Sequence, residues 1–480
     1  GEYPFKDYWI VSGPFIDYFQ ALLFSIFGAN WQSYILQSSL LNAFLSVITF
    51  KFLREFDLDL KSSFFYTICL SVLAYPSSGT PFVDHHATFL SLIGIYFLIL
   101  GIKKDKKTYW LLLPFILGFA FLSKQVPTAY LAISIILMIG LNFLSNDKNN
   151  NIRTFLLLLV SSIIFLSLVL LIFIITDTSI KNFFEQYFFY PSSIGESRYG
   201  SYKINFNNLV HDFKFIHLAF LPFFIINFIK IIKIKKYYEK INCKLFLIFL
   251  LTFISLALHQ IFTKNQIFIF FLIPLFTALS HIEINVTMKK NKWKKILIFT
   301  MLTLCFFSTI KYHQRFNLEK KFHELSDVNF KNSIPAKKID YRFLGLNWIT
   351  PGTVSKDDAM KELTIIESIK LDLKKDKRKK MLITHYAFFS ILLNEDLNAP
   401  SRWYPMDGTG FPVKGSNFYL SYVKFLKNLI INKKIEIIYI TADVSEKTIF
   451  NYLNKDCFEK KIISSNLTGH LVKKNCKEFK

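Results

Sequence analysis

The stretch Phe155–Ile175, FLLLLVSSIIFLSLVLLIFII, decides the fold class, because it contains no charged side chain. A helix crosses a hydrocarbon core of ~30 Å with about 20 apolar residues, so this segment is long enough to span a bilayer. The chain as a whole is also strongly hydrophobic, with 52% hydrophobic residues and 55 phenylalanines. The sequence predicts a polytopic α-helical membrane protein with about ten spans, and the other nine are Gln32–Phe50, Ser62–Tyr75, Phe82–Gly101, Tyr109–Leu122, Thr128–Leu144, Phe215–Ile229, Leu245–Leu258, Ile267–Leu279 and Ile296–Thr309.

The net charge of +24 lies mostly in short loops between the apolar segments and in the tail. Alternate loops are rich in lysine and arginine, whereas the loops between them are poor in these residues, which is the positive-inside pattern of a membrane protein. The charge therefore indicates orientation, and we expect no nucleic-acid binding. Five loops are predicted to face the cytoplasm: Lys51–Lys61, Lys103–Lys107, Lys148–Arg153, Lys230–Lys244 and Lys289–Lys295.

The alternation of ten spans places residues 1–30 and the tail after about residue 312 outside an inner membrane. Segment Pro14–Gly28 includes Asp17 and Gln20 and would break the alternation as a span. We interpret it as an amphipathic helix on the outer membrane surface. The predicted domains are the loop and helix at 1–30, the membrane bundle at 31–312 and a soluble domain at 313–480. Because the sequence begins at Gly1 within a loop, we expect a missing upstream stretch with a first membrane helix.

The tail has the alternating pattern of a small α/β domain. Asp357–Leu373 and Phe418–Ile431 read as amphipathic helices, and Lys380–Thr384 and Ile435–Thr441 read as strands. The turn-rich loop Ser401–Gly415 lies between them. No motif of known catalytic geometry is apparent in the tail.

Two of the five cysteines, Cys457 and Cys476, lie in this tail. An extracytoplasmic domain is in an oxidising environment, where cysteines pair. We therefore expect a disulfide between them, and two free thiols remain the alternative.

Ionisable residues at the predicted outer face are the candidates for chemistry. Lys6 and Asp7 lie in the first loop, Asp84 begins the third span, Lys124 follows the fourth, and Lys264 precedes the ninth. A lipid-linked sugar phosphate would use such a set, because lysine or a divalent metal ion can neutralise the leaving phosphate. A carboxylate can serve as base for the acceptor hydroxyl.

Each candidate also has a structural interpretation. Asp84 can cap its helix, Lys124 can extend to the headgroups, and Lys6 with Asp7 can be an exposed loop pair. His85 and His86 are interpreted as structural residues. The occurrence of several ionisable groups on one face favours function for the set as a whole.

Several motifs resemble those of GT-C glycosyltransferases, in the branch of protein O-mannosyltransferases, the lipid A aminoarabinose transferase and rhizobial core transferases. Residues 1–310 follow that family's order of loops and spans. Three motifs are each similar to one in that family. The opening loop is Tyr3-Pro4-Phe5-Lys6-Asp7 with Gly13-Pro14-Phe15 and Leu23–Gly28. The aspartate motif at the outer end of a span is Pro81-Phe82-Val83-Asp84, and the lysine motif is Phe121-Leu122-Ser123-Lys124-Gln125.

The resemblance implies transfer of a sugar from a polyprenyl-phosphate donor in the membrane to an extracytoplasmic acceptor, which is a glycolipid, a lipopolysaccharide or a protein. Lys6 and Asp7 would lie beside the donor phosphate or a metal ion, with Asp7 as its ligand. Asp84 would orient a substrate, and Lys124 and Lys264 would contact phosphate. That family usually has an acidic residue upstream of the loop that opens this chain. We therefore expect that the usual catalytic acid is missing and that this fragment is inactive.

Three other classes compete with this interpretation. A transporter would have polar groups near the bilayer midplane and inverted repeats, neither of which is visible in the sequence. A lipopolysaccharide polymerase or ligase also uses lipid-linked sugars, but typically relies on large loops between helices. A structural membrane protein would bind a partner through its tail and would tolerate substitution of the outer-face residues.

Overall fold

The structure is a computed structural model that describes residues 1–145, 147–199, 206–263, 268–288, 292–319, 333–349, 359–405 and 407–479. Each of the ten predicted spans coincides with a helix. These are α2 (Trp31–Glu55), α3 (Leu60–Ala74), α4 (Val83–Lys104), α5 (Lys107–Ser123), α6 (Gln125–Ser145), α7 (Lys148–Ile175), α10 (Lys214–Lys233), α11 (Ile241–Thr263), α12 (Leu272–Thr287) and α13 (Trp293–His313).

The helices differ in how they relate to a bilayer. Among the described residues, eight helices are long and apolar enough to cross a membrane, and α3 and α5 are shorter apolar helices of 15 and 17 residues. In α4 and α12, 89% of the most apolar window is buried, whereas in α7 only 11% is buried. A helix that exposes an apolar surface on nearly all sides is stable only in lipid. The chain is therefore a multi-pass membrane protein with α4 and α12 at its centre.

The two ends of the bundle have different characters. One end, the basic end, carries the lysine-rich turns, including those around Lys103, Lys106 and Lys236. The other end, the domain end, carries residues 1–30, the start of α4 and the junction between α5 and α6. Two further helices, α8 (Ile180–Phe184) and α9 (Tyr190–Tyr199), follow α7 there, joined by the π-helical turn Glu185–Phe189.

The first helix, α1 (Pro14–Phe27), packs on α5 through an unusually close backbone approach at Gly13. The Gly13 amide donates to the carbonyl oxygen of Ser123 over 3.0 Å, and the rings of Phe15 and Phe119 lie 4.8 Å apart. A Cβ on Gly13 would lie 1.6 Å from the carbonyl oxygen of Leu122. Only glycine therefore fits where the opening loop meets the end of α5.

The C-terminal part forms an α/β unit around a four-stranded sheet. Strands β3 (Lys380–Ile383) and β4 (Ile437–Thr441) are parallel, as expected for a strand–helix–strand unit, and β4 pairs antiparallel with a later strand, Leu467–Val472. The remaining elements are β1 (Ile334–Pro335), β2 (Asn347–Trp348), α14 (Ala359–Lys375), α15 (Phe389–Leu393), α16 (Tyr419–Asn432), α17 (Lys447–Phe450), β5 (Phe458–Ser464) and β6 (Leu467–Val472), with sheet order β3-β4-β6-β5.

The sheet is buried on both faces, which explains the continuous apolar run in β4. One face packs with α14 through Ile437 and Tyr439, and the other packs with α16 through Ile438 and Ile440. The predicted α/β class of the tail is therefore confirmed. The β5–β6 hairpin was not predicted.

Trp9 of the opening loop lies inside the core of this α/β unit. Its side chain is 2% exposed, and its ring makes edge contacts at 5.4 Å with Tyr422 and 5.8 Å with Phe425 of α16. Tyr190 of α9 contacts the same ring at 5.8 Å. The Trp9 amide also donates to Pro400 over 2.8 Å. Loss of a buried tryptophan typically costs about 3–5 kcal/mol, so this contact holds the unit against the bundle.

Cys457 and Cys476 are joined by a disulfide with Cα atoms 5.2 Å apart. It connects the start of β5 to the segment after β6 and so closes the hairpin. The other three cysteines are buried as free thiols.

We predict that Gly13→Ala lowers the thermal unfolding temperature of the detergent-purified protein, because its methyl group would overlap a backbone carbonyl. Overpacking of this kind costs about 3 kcal/mol. Gly140→Ala is the matched control, since a methyl group on Gly140 of α6 would have nothing within 4 Å. Alanine is favoured over glycine in a helix by up to about 1 kcal/mol, so the Gly140→Ala control should be neutral or stabilising. Equal melting temperatures for both variants would contradict the close approach.

We predict that alkylation of the denatured, unreduced protein modifies three cysteines, and that prior reduction raises this number to five. Mass spectrometry measures the count. Replacement of Cys457 and Cys476 by serine should destabilise the protein by about 3 kcal/mol, and a reductant should then have no further effect. Modification of all five cysteines without a reductant would contradict the bond.

Candidate functional site

Asp84 is the most deeply buried of the predicted site residues. It lies in the first turn of α4, whose N-cap residue Phe82 has no side-chain hydrogen bond to offer the free amides. A carboxylate is favoured at a helix N-terminus by these amides and by the helix dipole. The Asp84 side chain is nevertheless only 1% exposed, so its charge also requires partners from other helices.

Lys124 supplies the first of these partners. It lies between α5 and α6 in an extended conformation, and its backbone amide caps α5 through Ala120. Its Nζ lies 2.8 Å from both carboxylate oxygens of Asp84. An ammonium has three N–H donors, so this contact leaves one for another anion. The Lys124 side chain is 26% exposed, which keeps that donor within reach of a ligand.

His259 near the end of α11 is the second partner of Asp84. Its Nε2 lies 3.1 Å from Oδ1 of the carboxylate, and its side chain is 1% exposed. The sequence assigned no role to His259. The available signal was a His259-Gln260 pair ending an apolar segment, since ionisable groups near span ends are rarely incidental. The residues Asp84, Lys124 and His259 are called the aspartate cluster below.

His86 and His85 behave as structural residues. The Nε2 of His86 lies 3.1 Å from the Gln37 amide of α2, and its Nδ1 lies 3.0 Å from the Phe82 carbonyl oxygen. His85 contacts the rings of Phe82 and Phe89 at 5.4 and 5.3 Å. These contacts attach α2 to the start of α4 and so fix the backbone that carries Asp84.

Lys6 and Asp7 of the opening loop both contact residues far along the chain. Lys6 forms an ion pair with Asp177 at 3.1 Å, and Asp7 forms one with Lys433 of the C-terminal unit at 2.8 Å. The cavity that they line does not include Asp84 or Lys124 among its lining residues. The first loop does pack beside Lys124, because Gln125 donates to the Val11 carbonyl over 3.2 Å. Lys264 lies outside the described residues.

A divalent metal ion does not fit the surroundings of Asp7. One carboxylate oxygen of Asp7 accepts the Tyr3 amide at 2.7 Å, and the other is held by the Lys433 ammonium. Lysines repel a cation, and both carboxylate oxygens of Asp7 already have a hydrogen-bond or ion-pair partner. Within the described ranges, the group of three potential ligands that lies close enough is Cys457, Cys476 and Glu478, whose two sulfurs are already joined.

Residues 11–174 match a family model described as dolichyl-phosphate-mannose-protein mannosyltransferase. The matched segment is about a third of the chain and extends from the opening loop to the end of α7. It includes Asp84 and Lys124. The predicted resemblance to GT-C membrane glycosyltransferases is therefore confirmed over the helices that carry two of the three residues of the aspartate cluster.

A solved structure is also similar to the chain, and no curated protein matches it. The crystal structure of ArnT from Cupriavidus metallidurans in the apo state has 12% sequence identity and a TM-score of 0.44. The alignment covers 96% of this chain and 88% of that one.

We predict that Lys124→Met destabilises the protein by about 3 kcal/mol, because it leaves the buried Asp84 carboxylate without its cation. The double variant Asp84→Asn/Lys124→Met should recover at least half of that loss, since both charges are then removed. Thermal unfolding of the two single variants and the double variant measures the coupling. Strictly additive losses would show that the two side chains do not form a stabilising pair.

Proposed function

We propose that the protein transfers a sugar from a polyprenyl-phosphate donor to an extracytoplasmic acceptor. The observation that carries this proposal is the aspartate cluster, in which an ammonium with one remaining donor lies beside a buried carboxylate at the end of a lipid-embedded bundle. The family match supports glycosyl transfer in general. The proposed donor carries its sugar on a polyprenyl phosphate, and the proposed acceptor is a glycolipid, a lipopolysaccharide or a protein.

The proposed chemistry assigns a separate task to each residue of the cluster. The bond between the sugar C1 and the phosphate oxygen breaks, and a bond from C1 to the acceptor oxygen forms. Lys124 donates to the departing phosphate, whose negative charge it stabilises where water is scarce. As Lys124 turns towards the phosphate, an Asp84 oxygen accepts the proton of the acceptor hydroxyl. His259 keeps its contact with Asp84 and so holds the carboxylate in place.

The proposal places the C-terminal unit, residues 313–480, on the extracytoplasmic side. Two observations support this orientation. The Cys457–Cys476 disulfide is of a kind that persists in oxidising compartments. The lysine-rich turns are at the opposite end of the bundle, where the positive-inside rule places the cytoplasm. Lys6 and Asp7 then face the same compartment as the aspartate cluster, and the membrane lipid surrounds α7.

The position of the cluster favours transfer over transport. Asp84 lies in the first turn of α4, and Lys124 follows the last residue of α5. Both are therefore at helix ends, at headgroup depth, where a lipid phosphate resides. A transporter would bind its substrate near the middle of such helices.

We predict that Lys124→Ala, in the protein expressed from the complete gene, reduces transfer about 100- to 1000-fold, because removal of a comparable transition-state donor costs roughly 3–4 kcal/mol. Lys124→Arg should retain partial activity, since it keeps the charge but changes the shape of the donor. The assay uses a purified polyprenyl-phosphate sugar in detergent, with folding of each variant verified. Lys447→Ala, which alters an exposed lysine on α17, is the control and should be fully active. Near-normal turnover by Lys124→Ala would remove Lys124 from the mechanism.

A further inference from the structure

A cleft of about 570 Å³ lies between the bundle and the C-terminal unit. One wall comes from the opening loop together with α8 and the adjoining π-helical turn, and the other comes from α16. Binding sites for small molecules typically measure about 300–1,000 Å³, so the cleft is large enough for an oligosaccharide fragment. The aspartate cluster does not use it.

The α16 wall is a continuous polar stripe. Ser421, Lys424, Asn428 and Asn432 are three or four residues apart, a spacing that puts them on one side of a helix. The opposite side of α16 is buried in the core of the unit. Hydroxyl, amide and ammonium groups along one helix face present donors and acceptors to a ligand with many hydroxyl groups.

The opposite wall is held rigidly. Asn182 and Gln186 both donate to the Phe5 carbonyl oxygen, over 3.1 and 3.2 Å, and Gln186 also accepts the Ile10 amide. These bonds attach the opening loop to the helices after α7. The wall is therefore preformed, which reduces the entropy lost on binding.

The charges in the cleft leave it with a net positive character. Lys6 and Lys433 are neutralised by Asp177 and Asp7. Lys181 and Lys424 also line the cleft, and in the described part of the chain neither is in an ion pair. The one other carboxylate in the lining of the cleft is that of Glu185, so the two ammonium groups outnumber it.

One wall of the cleft is attached to the segment that carries Lys124. Gln125, which follows Lys124 in the chain, donates to the carbonyl oxygen of Tyr187. Gln186, the neighbour of Tyr187, lines the cleft. The segment that lines the cleft is therefore bonded to the residue that follows Lys124.

We infer that this cleft binds the acceptor, and that the acceptor is a saccharide with an anionic group, a carboxylate or a phosphate. This inference rests on the proposed function, which supplies the need for an acceptor. The polar stripe of α16 contacts the hydroxyl groups, and Lys181 and Lys424 contact the anion. Lys181 and Lys424 are specificity-determining residues that leave the chemistry to the aspartate cluster.

Binding of digalacturonate and lactose to the purified full chain tests the inference without requiring transfer. These probes are an anionic and a neutral disaccharide, and saturation-transfer NMR with titration measures the affinity of each. Digalacturonate should bind at least 10-fold more tightly than lactose, and added salt should weaken its binding. The double variant Lys181→Gln/Lys424→Gln should lose that 10-fold preference, whereas the control Lys447→Gln should keep it.

Each outcome separates the inference from the proposed function. Equal binding of the two disaccharides, or an unchanged preference in the double variant, would overturn the anionic-acceptor assignment. Binding as expected in a protein that shows no transfer from any polyprenyl-phosphate sugar would support the cleft and count against the proposed function. The variant Lys124→Ala should bind digalacturonate normally, because Lys124 does not line the cleft.

Discussion

The burial of the Asp84 carboxylate is the constraint on which the arrangement of the domain end depends. A carboxylate that is 1% exposed in a membrane bundle is costly unless cations and hydrogen-bond donors surround it. Lys124 and His259 come from the α5–α6 junction and from α11, so one charge draws three separate parts of the bundle together. The packing of the apolar helices positions this site, but the charge determines which helix ends must meet.

The opening loop connects this site to the C-terminal unit. Gly13 at one end of the loop presses against the end of α5, next to Lys124. Trp9, four residues before Gly13, is buried in the core of the C-terminal unit. Arg402 of the unit is also ion-paired with Asp17 of α1. The opening loop therefore links the C-terminal unit to the part of the bundle that carries Lys124.

Hydrophobic length predicted the ten helices of the bundle because lipid requires a spanning helix to be apolar over its whole length. The same rule says nothing of contacts between loops, so the partners of Lys6 and Asp7 could not be predicted: Asp177 and Lys433 are 171 and 426 positions away. The β5–β6 hairpin was missed because β5 is mostly exposed and carries charges, without the alternation of a half-buried strand. His259 was given no role because the sequence does not show which group a histidine at the end of a span will contact.

The central claim is that the protein consumes a lipid-linked sugar, and mass spectrometry of lipid extracts tests it most directly. Cells with and without the complete gene would be compared, and the deletion would be complemented with the complete wild-type gene or with its Lys124→Ala variant. The account predicts that a polyprenyl-phosphate sugar accumulates in the deletion, returns to its normal level with the wild-type chain, and stays high with Lys124→Ala. An unchanged level of every polyprenyl-phosphate sugar in the deletion would contradict the account.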